Sequence, residues 1–206
     1  MNQFLTRLLN TTGIDIKHLK NEYLSATELV SLDSILASEQ DFEQGFYCSS
    51  HGERLECLLF FLNVHKKDII ELMQGMRKAE IMFELYTSST ISGNYDCFHF
   101  DLSKFLQTYT SNNQVLTLYR VGRDGEGAEN LGCSWSTSIE GLRAYCESSS
   151  ITKSMLESKP VFIITIEDSQ VLFKGEKREH ELVLKSDFTH NTLAMLDDKL
   201  RNNIFG

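Results

Sequence analysis

The sequence predicts an α+β protein, in which a helical N-terminal region, residues 1–93, packs on a sheet-based core, residues 94–206. Three observations carry this. From Phe4 to about Thr87 apolar residues return every three or four positions, the period of one helix face. After Asn113 the apolar runs shorten and become β-branched and aromatic, the composition of strands. Between the two, Ser88–Gly93 is polar and small, and Tyr95, Phe98 and Phe100 follow at once, which marks a break rather than a flexible linker.

In the first region Phe4, Leu5, Leu8 and Leu9 form a stripe broken at Gly13, and Ile16, Leu19, Tyr23 and Leu24 form the next. Ser25-Ala26-Thr27-Glu28 spells S-x-x-E ahead of Leu29, Val30, Leu32, Ile35 and Leu36, a capping-box start. Leu55–Leu62 and Ile69–Tyr86 read as two longer helices, the second starting from Asp68. Met73, Met76, Met82 and Phe83 have core spacing. His51 and His65 have no second ligand at metal spacing and read as surface or capping residues. Asp101–Leu106 reads as one more helix.

The chain has 206 residues, 41% of them hydrophobic, and a formal net charge of −9, so its surface as a whole is poorly suited to non-specific attraction to nucleic-acid phosphates. Met1–Leu9 lacks the apolar core and cleavage site of a secretory signal, and Cys57–Leu62 is apolar but soon meets Lys66-Lys67-Asp68, so no membrane span is expected. Cys48, Cys57, Cys97, Cys133 and Cys146 are odd in number and widely spaced, which points to reduced thiols rather than a disulfide framework or a metal site. A cytoplasmic location is expected.

In the second region Val115–Arg120 reads as a strand ending at Gly122. The loop to Gly132 holds several glycines but no G-x-x-x-x-G-K-[ST], and so reads as a turn or lid rather than a nucleotide P-loop. Cys133–Ser136 is a short strand, and Thr137-Ser138-Ile139-Glu140 is T-x-x-E, with Thr137 as the expected cap of a helix through Tyr145 or Cys146. Pro160–Ile166, Val171–Phe173 and Glu179–Leu184 are strands. Strict alternation in the last would set Glu179, Glu181 and Val183 on one face and His180 on the other, where it would pack.

An arginine ending one strand, a serine cluster ending a second and an E-x-E opening a third resemble, in that order, the arginine-serine-glutamate class of ADP-ribosyltransferases, with its bacterial and phage toxin-like members. Tyr119-Arg120 is similar to the first motif and Glu179-His180-Glu181 to the third. The middle motif aligns in two ways, as Ser136-Thr137-Ser138 or as Gly132-Cys133-Ser134-Trp135-Ser136 on a G-x-S-W-T pattern, and the placement of the helix cap favours the second. The resemblance covers the C-terminal half and implies a split β-sheet core with NAD as substrate. It implies that Glu181 is catalytic, stabilising the oxocarbenium-like ribose, and that Glu179 is catalytic toward the incoming nucleophile. It assigns NAD binding to Arg120, as a donor fork for the diphosphate or adjoining ribose, and to Tyr119, Gly122, Ser134, Trp135 and Ser136, with no metal. The activity implied is mono-ADP-ribosyl transfer to a macromolecule, a protein arginine first, in a toxin or phage-conflict role. Transfer to a nucleic-acid base is the alternative, with Tyr119, Trp135 and Arg123 as the nearest recognition candidates; NAD hydrolysis and a non-catalytic binding module also remain open. The partners expected are a protein or nucleic-acid acceptor and, on the helical half, an antitoxin or chaperone.

Overall fold

Asn2 opens the first helix, α1 (Gln3–Thr12), by accepting a hydrogen bond from the Leu5 N–H at 2.8 Å, and Gly13 ends it in the left-handed conformation at φ 75°. This structure, a computed structural model, describes residues 1–46, 52–91 and 97–196. It divides into two compact units, Met1–Phe105 and Leu106–Gly206.

In the first unit α2 (Ile16–His18) runs into a π-helical turn over Leu19–Tyr23. α3 (Ala26–Ile35) has the expected capping box between Ser25 and Glu28. α4 (Glu39–Gln44), α5 (Glu53–Val64), α6 (Lys66–Met73) and α7 (Lys78–Tyr86) complete it. The single helix expected over Ile69–Tyr86 is two, because Gly75 at φ 81° and Arg77 at φ 45° turn the chain between them. Asp68 lies inside the first turn of α6 rather than capping it. Of the four residues given core spacing, Met82 is buried whereas Met76 and Phe83 are exposed. His65 is the cap position between α5 and α6, without a capping side-chain bond, and is mostly buried rather than on the surface, its Nε2 lying 2.6 Å from Ser88 Oγ. Cys48, His51 and Tyr95 lie outside the described residues, as do residues 92 and 93 of the expected break.

Residues 97–105 belong to this unit. Asp15 and Asp101 N–H groups bond to the His99 and Gly13 carbonyls, and Phe98, Phe100 and Phe105 enter one ring cluster with Phe61 and Tyr86. The helix expected over Asp101–Leu106 is a single 3-10 turn, Leu102–Lys104.

The second unit is built on β1 (Val115–Val121), β2 (Ser134–Ser136), β3 (Val161–Glu167), β4 (Val171–Lys174), β5 (Glu181–Leu184) and β6 (Thr192–Met195), with α8 (Ile139–Ser148) and α9 (Lys153–Ser158) between β2 and β3. The strands form one antiparallel sheet in the order β4-β5-β2-β1-β3-β6. β1 and β3 pair along seven positions, whereas β1 and β2 pair at one, Tyr119 with Ser136. The sheet is thus continuous, but its two three-stranded halves meet at a single register pair. One face carries Leu118, Trp135, Ile164, Leu182 and Leu184; on the other Val121, Val161 and the partly buried Tyr119 pack with Leu142 and Cys146 of α8. The protein is therefore α+β. Among the described residues the four cysteines are free, and no helix is long and apolar enough to cross a membrane.

Candidate active site

The site lies where β1 and β2 part. Register places Tyr119, Ser136 and Glu181 side by side across three strands, on the face covered by α8, with Ser134 two residues along β2. These residues, with Glu179 and with Leu142 and Tyr145 of α8, line a cleft open to solvent.

Ser134 Oγ donates to Glu181 Oε1, and the Glu176 N–H donates to Glu181 Oε2 at 2.8 Å. Both carboxylate oxygens are therefore fixed, one by a strand and one by the turn before β5. Gly175 makes room for them: a Cβ there would fall on the Glu181 carboxylate. Ser136 is buried and its hydroxyl is turned to backbone, 2.9 Å from both the Ser138 and Glu179 carbonyls, so it ties two turns together rather than facing the cleft.

Glu179 is not on a strand. β5 begins at Glu181, and residues 177–180 form a turn in which His180 has φ 49°. The strict alternation expected from Glu179 is interrupted there, yet the turn still brings Glu179 to the cleft. Its Oε1 accepts from Ser148 Oγ at 2.6 Å. Burial pushes its carboxyl above the ordinary value, and the charges of Glu181 and Glu176 add to this against the Ser148 bond and Arg178. His180 does not pack; it is exposed, with Nδ1 2.7 Å from Ser138 Oγ.

Ser138, not Thr137, caps α8, accepting from the Gly141 N–H at 3.0 Å. Thr137 is exposed and bonds to the His180 carbonyl through its N–H. Of the hydroxyls in the serine cluster, Ser134 is the one on Glu181.

Arg120 alternates onto the opposite face from Tyr119 yet still borders the cleft, and its fork is engaged. Nε and Nη2 bond to the two oxygens of Glu126 at 2.7 and 3.1 Å, and Nη1 donates to the Ser134 carbonyl at 2.8 Å, beyond the one position where β1 pairs with β2. Glu126 also accepts from the Gly132 and Arg123 N–H groups, so one carboxylate closes the glycine-rich loop 122–132. Burial pushes the Glu126 carboxyl up, but its bonds from Arg120, Gly132 and Arg123 outweigh this and hold it below the ordinary value. Lys159, itself buried, pins the same loop through Asp124 at 2.9 Å. The loop is a fastened turn.

Trp135 is 1% exposed, packs in the core cluster of Leu118 and Leu182, and donates its indole N–H to the Gly132 carbonyl at 2.7 Å. Though its backbone borders the cleft, its ring is not offered for stacking. Gly122 bonds to the Pro160 carbonyl, and a Cβ there would strike Phe162 and Pro160, so it serves close packing of β1 on β3. Sequence reasoning missed Glu126, Ser148 and Gly175. An acid inside a glycine-rich loop and a glycine ahead of E-x-E were visible signals for two; Ser148 had none.

The arrangement offers a fixed carboxylate to a developing cation, and beside it a second carboxylate with raised proton affinity. Among the described residues no group of three or more His, Cys, Asp or Glu could hold a metal ion. No protein-family model, no curated protein and no solved structure matches the chain.

Proposed function

We propose that the chain is a mono-ADP-ribosyltransferase that takes NAD as substrate and transfers ADP-ribose to a protein arginine. The observation that carries this is the Ser134–Glu181 pair, held at both carboxylate oxygens in the cleft that also receives Glu179. It is the hydroxyl–carboxylate pairing that the resemblance to the arginine-serine-glutamate class requires.

In this reading the bond between nicotinamide and ribose breaks with its electron pair leaving on nicotinamide, and the Glu181 carboxylate stabilises the oxocarbenium-like sugar. A guanidinium nitrogen of the acceptor forms the new bond to the same ribose carbon and gives its proton to Glu179, whose raised proton affinity suits that task. Arg120 acts by holding the Ser134 carbonyl and the loop 122–132 at the edge of the cleft. Transfer to a nucleic-acid base is the second reading: of its two stacking candidates the Trp135 ring is buried, while the partly buried Tyr119 lines the cleft.

The test is incubation of the protein with labelled NAD and whole-cell lysate, followed by separate protease and nuclease digestion. Label should be lost to protease alone, and Glu181→Gln should lower both NAD cleavage and labelling by at least about 100-fold, because it keeps the shape and removes the charge. Near-normal turnover in Glu181→Gln would overturn the reading.

A further inference from the structure

We propose that Ser148 is a positioning residue that serves Glu179 in both of its protonation states, and so readies it to take a proton from the acceptor and then release it. This rests on the transferase reading above.

Ser148 is the last residue of α8, and its Oγ lies between two acceptors, 2.6 Å from Glu179 Oε1 and 3.0 Å from the Tyr145 carbonyl. A hydroxyl has one proton to donate and lone pairs to accept with, so it cannot donate to both at once. While Glu179 is ionised, the Ser148 proton points to the carboxylate. When the attacking guanidinium nitrogen bonds to the ribose carbon, its proton passes to Glu179 and the carboxylate becomes a neutral acid. The new O–H can then donate to Ser148 Oγ, whose own proton swings to the Tyr145 carbonyl. Each state thus keeps a hydrogen bond, and Glu179 need not move to find one. Ser148 is exposed and Glu179 half-buried, so solvent reaches the pair, and what the hydroxyl adds is a fixed partner that holds the carboxyl in one place through both states.

The surroundings hold this pair in place. The end of α8 is braced to the 177–180 turn a second time, by Arg178 to Glu147 at 2.9 Å, and the Glu179 carbonyl is fixed by Ser136. The charged groups acting on Glu179 are Glu181 of β5 and Glu176 and Arg178 of the preceding segment; His180 is turned to Ser138. Cys146 of α8 is neutral, its thiol pushed up to about 12 by burial, with Glu179 and Glu147 adding. Ser148 is the side chain bonded to the Glu179 carboxylate among the hydrogen bonds of the described residues.

The experiment compares the wild type with Ser148→Ala and Ser148→Thr in three measurements: a carbon-13 NMR titration of the Glu179 carboxyl, transfer of ADP-ribose to agmatine as a small guanidino acceptor across pH, and NAD hydrolysis. Ser148→Ala removes a charge-assisted bond to the ionised form and a weaker neutral bond to the acid, so the Glu179 titration and the acidic limb of transfer should both move to higher pH. The ratio of transfer to hydrolysis should fall about tenfold, the loss of one hydrogen bond to a charged group. Ser148→Thr keeps the hydroxyl and should restore both. An unmoved titration in Ser148→Ala, or transfer and hydrolysis falling in parallel, overturns the role of Ser148 and leaves the transferase reading standing. A wild type that cleaves no NAD overturns both.

Discussion

Replacing Glu126 with alanine should destabilise the sheet unit severely, because it takes the bidentate carboxylate away from a buried guanidinium. The Arg120 and Glu126 side chains are 11% and 5% exposed, and the carboxylate removed also receives the Gly132 and Arg123 N–H groups. Breaking one side of such a pair costs about 3–5 kcal/mol, out of a total stability of about 5–15 kcal/mol. With a urea dependence of about 2 kcal/mol per molar, the unfolding midpoint should fall by about 2 M. The chain's single tryptophan is Trp135, so its fluorescence reports this unit selectively. The double variant Arg120→Met with Glu126→Met should recover only the part of the loss due to the uncompensated charge, since it removes both charges but leaves the Gly132 and Arg123 N–H groups and the Ser134 carbonyl without these partners. Acid supplies a second measurement. Glu126 has a carboxyl held below its unfolded value, so its contribution is fully present above about pH 4.3, the ordinary glutamate value, and is lost as pH falls through the lower folded value. The wild type should therefore weaken more steeply than Glu126→Ala over that interval. An unchanged urea midpoint at pH 7, or equal acid slopes, would refute the assignment of Arg120 to Glu126.

Three further substitutions test the site itself. Ser134→Ala should raise the Michaelis constant for NAD or slow turnover with little loss of stability, whereas Ser138→Ala should chiefly lower stability, by about 1 kcal/mol for a lost helix cap; the reverse pattern in kinetics and urea unfolding would return the middle motif to Ser136-Thr137-Ser138. Gly175→Ala should cut NAD cleavage sharply, because the new methyl displaces the Glu181 carboxylate from its bonds to Ser134 and the Glu176 N–H; normal cleavage would show that the carboxylate need not stay where Gly175 lets it lie.

Local signals in the sequence were legible where they acted alone. The Ser25 capping box, the stop at Gly13, and the strands near Val115–Arg120 and Pro160–Ile166 each depend on a few neighbouring residues and stand as expected. Signals that compete were not legible. Thr137 and Ser138 both offer a capping hydroxyl, and the choice fell to Ser138 while Thr137 bonded to the His180 carbonyl through its N–H, a contact no local pattern specifies. Alternation gave the right cleft for Glu179 by the wrong route, since His180 in the left-handed region breaks the strand before it starts. Tryptophan in a serine cluster looked like a ligand platform, but pairing with Leu182 turned it into the core. The partner of Arg120 was hidden for a different reason: a carboxylate six residues along a loop is found only once the loop has closed.

The two carboxylates of E-x-E stand on different supports, Glu181 on the first residue of a strand and Glu179 on the turn that leads into it. One is indexed to the sheet and the other to a loop. Altering the length of the 175–180 segment would therefore redirect Glu179 and also release the Glu181 carboxylate, which the Glu176 N–H holds and Gly175 makes room for, even with the Glu181 backbone still in register with Ser136. In the proposed transferase the carboxylate that faces the donor and the one that faces the acceptor are thus coupled through one short loop, so a single insertion or deletion there would alter both without rebuilding the sheet.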